Sequence, residues 1–448
     1  MKTSAALLRL SRLSFYILLA LTPLSLNWVL RQHYALGLAS HYVSTLFYVT
    51  DVPLLLTLFA WLLAHVLDPA RPLSCSPRPL TLALMALVGL SLLSALWAFD
   101  PVVAIASSAR LTLLFALYLY VANETHDHRW PALSLGLGAA AQSMVALGQF
   151  LSGRSLGLTA LGEPQVYRFT LGTSVIQIGT ERWLRGYGLS PSPTILGGVL
   201  TVGLFALLGW GMSTRKKRHL PWMFASLLGV AGLISTFSRA AWLSLGAGLA
   251  VVGALLWRSP AKQIKPAYWR LIAIGLAVGA VFLVSYPQLF AVRAYLGPAV
   301  DESLESLSLT LRQEYQKTAW DLSKLYPVAG VGSGNFVLAV AVENPPGLAY
   351  HSYQPVHSTL LLLIAELGLG GGVLWLAVWI YVGFVLWRRR AVIRLDAWSL
   401  AWTGSVVAIC LASFFDHYLF TFQQGRLLLW ASLGLWASAT RRLAAGTR

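Results

Sequence analysis

HSTLLLLIAELGLGGGVLWLAVWIYVGFVLW, residues 357–387, decides the fold. Apart from its opening histidine it holds a single Asp, Glu, Lys or Arg, namely Glu366, and Arg388, Arg389 and Arg390 follow it at once. About twenty apolar residues in a helix cross the hydrocarbon core of a bilayer, and this run is longer. The rest of the 448 residues agrees: 57% are hydrophobic and 11% are charged, against roughly 25% charged in soluble domains. Such a chain cannot hide its apolar surface from water, so its solvent is lipid. Every backbone polar group in lipid has to be satisfied within the protein, and long apolar runs rather than ten-residue alternating ones point to helices, not a barrel.

Reading outward from that run, similar segments fall at about 14–30, 43–67, 80–98, 101–121, 131–151, 192–212, 220–235, 239–257, 269–287, 396–416 and 425–440. The expectation is an all-α polytopic membrane protein of about twelve transmembrane helices forming a single membrane domain over 1–448. The basic N-terminus followed by an apolar run also fits a signal peptide, but no small-x-small cleavage site precedes Asn27, so a first span is the better reading. Cys75 and Cys410 stand alone and far apart, which suggests neither a disulfide framework nor a metal site.

The net charge of +17 would suggest nucleic acid in a soluble protein. Here it reads as topology. With a cytoplasmic N-terminus, 21 of the 33 Lys and Arg fall in cytoplasmic segments, led by Arg215–Lys216–Lys217–Arg218 and Arg388–Arg390. Eleven fall outside, and Arg110 lies within a span. Both termini are then cytoplasmic. Two outer loops are long, 152–191 and 288–356, and long loops on a rigid scaffold are where function concentrates. In the second, Leu304, Leu307, Leu311, Tyr315, Ala319, Leu322 and Tyr326 recur at helical spacing. They predict an amphipathic helix over about 302–326, on the membrane surface or packed on the bundle, that Pro327 ends.

His357, Arg239, Arg312, Arg185 and Asp416 all lie at the outer boundary in this topology. Arginine forks suit a lipid-linked phosphate or pyrophosphate, a helix N-terminus adds donors, and a histidine can take a proton from a hydroxyl near neutral pH. Together they would serve a glycosyl transfer with a pyrophosphate leaving group. No His/Asp/Glu cluster has metal-ligand spacing on this side, so no metal and no cofactor is expected. Each residue also has a plain reading, as a snorkelling anchor or a helix cap. Glu366 and Arg110 lie within spans, where charge is expensive and function is the default; Arg110 equally fits a structural pairing partner. GVGSGN, 330–335, reads as a helix-ending turn or, more weakly, an anion nest.

Three pieces in order, SRAAW (238–242), then R-x-x-Y-x-x-A-W from Arg312 running into LYPVAGVGSGNF, then H-S-x-x-L-x-x-x-A-E-L-G-L from His357, resemble the bacterial O-antigen ligase and polymerase superfamily. The resemblance is close over about 235–385. It implies a GT-C-type architecture with a periplasmic helical cap, and an inverting, metal-independent glycosyltransferase in the bacterial inner membrane with a periplasmic active site. The donor would be O-antigen on undecaprenyl pyrophosphate, and the acceptor a sugar hydroxyl of lipid A–core. Membrane lipids, not nucleic acid, would surround it. His357 would be the general base. Arg239 and Arg312, with Arg185, would hold the pyrophosphate, and Asp416 falls where ligases often carry an acid. Many members have Asn after that histidine; here it is Ser358. The alternatives are an O-antigen polymerase, a protein O-oligosaccharyltransferase and, in another class, a transporter or flippase of lipid-linked sugars. The last would show inverted repeats, and the sequence has none.

Overall fold

The computed structural model describes residues 2–35, 38–214, 219–294, 304–343 and 353–445. The basic loop Arg215–Arg218 and residues 302–303 of the expected amphipathic helix lie outside the described residues. The helices are α1 Lys2–Leu21, α2 Asp51–Val66, α3 Arg78–Leu93, α4 Pro101–Glu124, α5 Arg129–Ser152, α6 Pro193–Ser213, α7 His219–Ser235, α8 Arg239–Trp257, α9 Lys265–Ser285, α10 Pro287–Arg293, α11 Leu304–Leu325, α12 Phe336–Glu343, α13 Thr359–Ile393, α14 Ala397–Phe415, α15 Tyr418–Thr421 and α16 Gln423–Ala445. Among the described residues nine of these (α1, α3–α6, α8, α9, α13 and α14) are long and apolar enough to cross a membrane; α2 and α7 are apolar but shorter. The chain is thus a polytopic helical protein.

Two expected boundaries shift. The first helix runs over Lys2–Leu21 rather than 14–30, because Thr22–Pro23 ends it: proline disfavours the helical region for the residue before it. The β-branched and aromatic stretches that follow form a hairpin. Strand β1 (Asn27–Arg31) pairs antiparallel with β4 (Thr45–Tyr48), with the short β2 (Tyr34–Ala35) and β3 (Leu38–Ala39) at its tip. The second helix accordingly starts at Asp51, not 43. A further hairpin, β5 (Val175–Ile178) and β6 (Glu181–Leu184), lies in the first long loop.

Helix ends gather in two groups. At one end Glu124 of α4 meets Arg12 of α1 at 3.5 Å and Arg71 at 3.9 Å, and Arg389 donates to the Thr440 carbonyl. At the other, Ser25 N–H bonds Leu189, Phe99 N–H bonds Val331, and the Thr359 hydroxyl bonds the Asp416 carbonyl. The core between is α6, almost wholly enclosed, beside α14 and α16, whose Trp402, Trp430 and Trp436 are fully buried. Helix α11 packs on the bundle through buried Tyr315, Ala319 and Leu322, as its apolar stripe requires.

The two intramembrane charges have structural partners. Arg110 grips both carboxylate oxygens of Asp51, at 2.8 and 3.0 Å, and also bonds Gln423 and the Leu46 carbonyl. Glu366 accepts the N–H groups of Gly334 (2.8 Å) and Phe336 (3.4 Å), so its carboxylate caps α12. The glycine turn 330–335 is therefore engaged by the chain's own Glu366 carboxyl group and by the α13 backbone. It is also followed by a helix, which the sequence did not reveal.

Helix α13 breaks at Gly368, φ 68° and ψ −172°. The groups a break orphans are taken up by the turn: Val331 and Gly332 N–H bond the carbonyls of Ala365 and Glu366, and Leu369 N–H bonds Pro327. A Cβ on Gly368 would lie 2.0 Å from the Val328 carbonyl oxygen; one on Gly370 would meet nothing nearer than a Leu90 methyl at 3.4 Å. Gly368→Ala is therefore expected to lower the melting temperature of the detergent-solubilised protein by several degrees, since the backbone strain alone costs about 1–3 kcal/mol. Gly370→Ala should leave it unchanged or slightly higher.

Candidate active site

The turn between α7 and α8 sets the arginines. Phe237 is fully buried with φ 45°, an unusual conformation for a side-chain-bearing residue. That turn aims two carbonyls outward. Thr236 accepts Arg185 Nε at 2.7 Å, and Phe237 accepts Arg293 Nη2 at 2.6 Å. Arg239, the next residue but one, donates Nη1 to the Arg293 carbonyl at 3.1 Å, while Ser238 caps α8. Three arginines from three segments thus interlock around four residues.

The first long loop is folded, not slack, because α5 carries polar hooks within its span. The Gln149 carboxamide oxygen accepts Tyr187 and Gly188 N–H, its nitrogen donates to Glu163, and Gln142 accepts Leu189 N–H. These bonds hold Arg182 and Arg185 against the bundle.

Across from them, Ser358 caps α13 by accepting Leu361 N–H at 3.4 Å, which leaves His357 just before the helix rather than in it. Serine caps a helix as well as asparagine does, so this departure from the common Asn keeps the local geometry. His357 Nδ1 stands 3.6 Å from Asp416 Oδ2, an electrostatic contact too long for a hydrogen bond. The other carboxylate oxygen of Asp416 accepts His417 and Tyr418 N–H. The His357 ring lies 5.0 Å from that of His417 and 5.9 Å from that of Tyr315.

A cavity of about 490 Å³ joins these elements. Arg182, Arg185, Arg293, Arg312, His357 and Asp416 are on its wall. Of the residues expected from sequence, His357, Arg185, Arg312 and Asp416 meet here. Arg239 is one step back, bonded to the Arg293 backbone. Arg293, Arg182, Tyr315 and His417 were missed; for the arginines the only signal was position in the two long loops, and for His417 its place beside Asp416.

The expectation that no metal-ligand cluster forms on this side needs correcting. His357, Asp416 and His417 bring one ligand atom each within 4.8 Å of one another, a cluster that sequence spacing could not reveal because it joins two loops some sixty residues apart. Its surroundings suit an anion better. His417 Nδ1 is engaged with the Thr421 hydroxyl at 2.7 Å, one Asp416 oxygen is taken by backbone N–H groups, and four guanidinium groups line the same cavity.

Burial would raise the Asp416 carboxyl, but the nearby His357, His417 and Arg312 override it and hold the group well below the usual range. His417 goes the other way: burial, reinforced by His357 and Arg312 and opposed by Asp416, pushes it from 6.5 down to about 3. An unfolded His417 takes up a proton below about 6.5 while the folded one does not, so this residue costs stability as pH falls from 6.5 toward 3. Asp416 acts lower: its contribution is complete above about 3.8 and fades beneath that. Between pH 6.5 and 4.5 the melting temperature of His417→Gln should therefore fall less steeply than that of the wild type; parallel slopes would contradict a neutral buried His417.

Residues 224–376 match the model of a family described as O-antigen ligase. The matched segment contains Arg239, Arg293, Arg312, His357 and Glu366, while Arg185, Asp416 and His417 lie beyond it. Among curated proteins none matches the chain.

Proposed function

From the premise of an O-antigen ligase family segment over 224–376, in a multi-pass membrane protein, we propose that this chain transfers O-antigen from undecaprenyl pyrophosphate to a sugar hydroxyl of lipid A–core. The observation that carries the reading is the single cavity shared by His357 and arginines from three separate segments. In this reading all twelve bundle helices (α1–α9, α13, α14 and α16) cross the inner membrane in a GT-C-type arrangement. Both termini are cytoplasmic, and the cavity opens to the periplasm beneath the α10–α12 cap.

The chemistry assigns each group a task. The acceptor oxygen bonds to the anomeric carbon with inversion as the bond to pyrophosphate breaks. With Nδ1 turned to Asp416, the Nε2 of His357 is the nitrogen left to take the acceptor proton. Asp416 stays ionised at any working pH, orients the ring and stabilises the imidazolium that forms. The departing electron pair settles on a phosphate oxygen, and Arg185, Arg293 and Arg312 meet its charge without help from a metal. Arg239 acts from behind by fixing the Arg293 backbone.

In a reconstituted assay with purified chain, lipid-linked O-antigen and lipid A–core, His357→Ala is expected to lower the transfer rate by 10²-fold or more, given the usual worth of general-base catalysis of about 10²–10⁴. Its melting profile should match the wild type. Glycan chains lengthened on the carrier lipid, with nothing on lipid A–core, would move the assignment to a polymerase. Excess chelator should leave the rate unchanged; loss restored by a divalent cation would overturn the metal-free mechanism.

A further inference from the structure

A second chamber lies against the reactive one. Its volume is about 420 Å³, within the roughly 300–1,000 Å³ typical of ligand pockets. It is built by the β1–β4 hairpin, by residues 353–354 and 421–422, and by Pro164 and Pro191 of the first long loop. The two chambers share three residues, Tyr42, Gln354 and Phe422, and none of the four cavity arginines lines the second. Tyr42 is the partition. Its ring stands edge-on to His417 at 5.9 Å and to Phe422 at 5.8 Å. Beyond Leu46 and Tyr48 a further space of about 250 Å³ continues past Ser107 to Arg110 and Arg426.

The lining of the second chamber is specific in kind. Tyr42, Tyr48, Tyr353 and Phe422 offer ring faces, and Asn27, Ser40, His41, Gln354 and Thr421 offer hydroxyl, amide and imidazole groups. Aromatic planes interleaved with neutral donors and acceptors match the alternating C–H faces and hydroxyl rims of sugar rings. A pyrophosphate would find its charge unmet, since no arginine or lysine lines the chamber.

Reaction geometry places a sugar here. A displacement with inversion brings the attacking oxygen to the anomeric carbon from the side opposite the leaving group. If the leaving pyrophosphate lies among Arg185, Arg293 and Arg312, the attacking hydroxyl must come past His357 from the edge without arginines, which is the edge formed by Tyr42, Gln354 and Phe422. We infer that the 420 Å³ chamber beneath the β1–β4 hairpin is the acceptor saccharide site, with Tyr42 and Gln354 guiding the attacking sugar to His357. This rests on the glycosyl-transfer reading above.

The test uses the full chain, with His41→Ala and Gln354→Ala as variants. His41 is exposed on the hairpin and Gln354 is half-buried in a loop, so neither supports the core. Initial rates are measured with lipid A–core varied at saturating donor, and with donor varied at saturating acceptor. Each variant is expected to raise the acceptor KM about tenfold, the size of one lost hydrogen bond, and to leave the donor KM within twofold. Binding of lipid-free core oligosaccharide, followed by calorimetry, should weaken by the same factor. A raised donor KM with an unchanged acceptor KM would overturn the assignment. If the wild type transfers nothing to lipid A–core, the function proposed above fails, and calorimetry decides the site alone. Oligosaccharide binding that His41→Ala weakens supports a saccharide chamber; binding that is absent or indifferent to both variants rules it out.

Discussion

The break in α13 at Gly368 is the constraint on which the site depends. A helix interrupted in a low-dielectric interior exposes carbonyl and N–H groups, each costing about 1–3 kcal/mol if left unpaired. The turn after α11 meets that demand by inserting its own backbone: Val331, Gly332 and Pro327 bond across the gap, and Glu366 caps α12 from the other side. Since the turn follows α11 directly, this plug fixes α11 against α13. Arg312 and Tyr315 are carried by the first of these helices, and His357 stands at the start of the second. The separation of His357 and Arg312 is thus set in part by hydrogen bonds at the α13 break rather than only by contacts inside the cavity.

Charge balance in the cavity follows a similar economy. Four arginines would repel one another, yet two are anchored by carbonyls of the strained Thr236–Phe237 turn, which accept hydrogen bonds without cancelling charge. The field stays positive and available to an anion. Burial keeps His417 neutral, so it adds no competing cation beside His357. Asp416 is a negative group on the cavity wall, and it faces His357, the histidine that would become positive in the proposed proton transfer. An acid placed among the arginines instead would have neutralised the charge that the proposed pyrophosphate leaving group needs.

Much of the helical layout was legible in sequence because lipid imposes long apolar runs, and the spans from 78 onward fall within a few residues of the helices found. The errors came where apolar residues leave the helix. Residues 27–30 and 43–48 read as the ends of spans although they belong to a hairpin; Pro23 and the polar Arg31, Gln32, His33, Ser40 and His41 between them were the local signals against a helix. At the site, His357, Arg185 and Arg312 were legible as charges at a boundary. The roles of Arg293 and His417 were not, because they depend on which loops meet. Gln142 and Gln149 look like ordinary polar residues within a span, although their amides organise the loop that carries Arg185.

Glu366 and Arg110 show how far the default reading of intramembrane charge extends. Buried ionisable residues in spans are first suspected of carrying protons, ions or substrates. Here both are occupied by fixed partners. Arg110 is held bidentate by Asp51, with Gln423 and a carbonyl completing its bonds, and Glu366 is held by two backbone N–H groups. A broken helix beside a buried acid also resembles a transporter's substrate site, where the unwound backbone would be left for cargo. In this chain the unwound backbone is already filled by its own turn. The two intramembrane charges that keep a transporter reading open in the sequence therefore serve, in three dimensions, as scaffold.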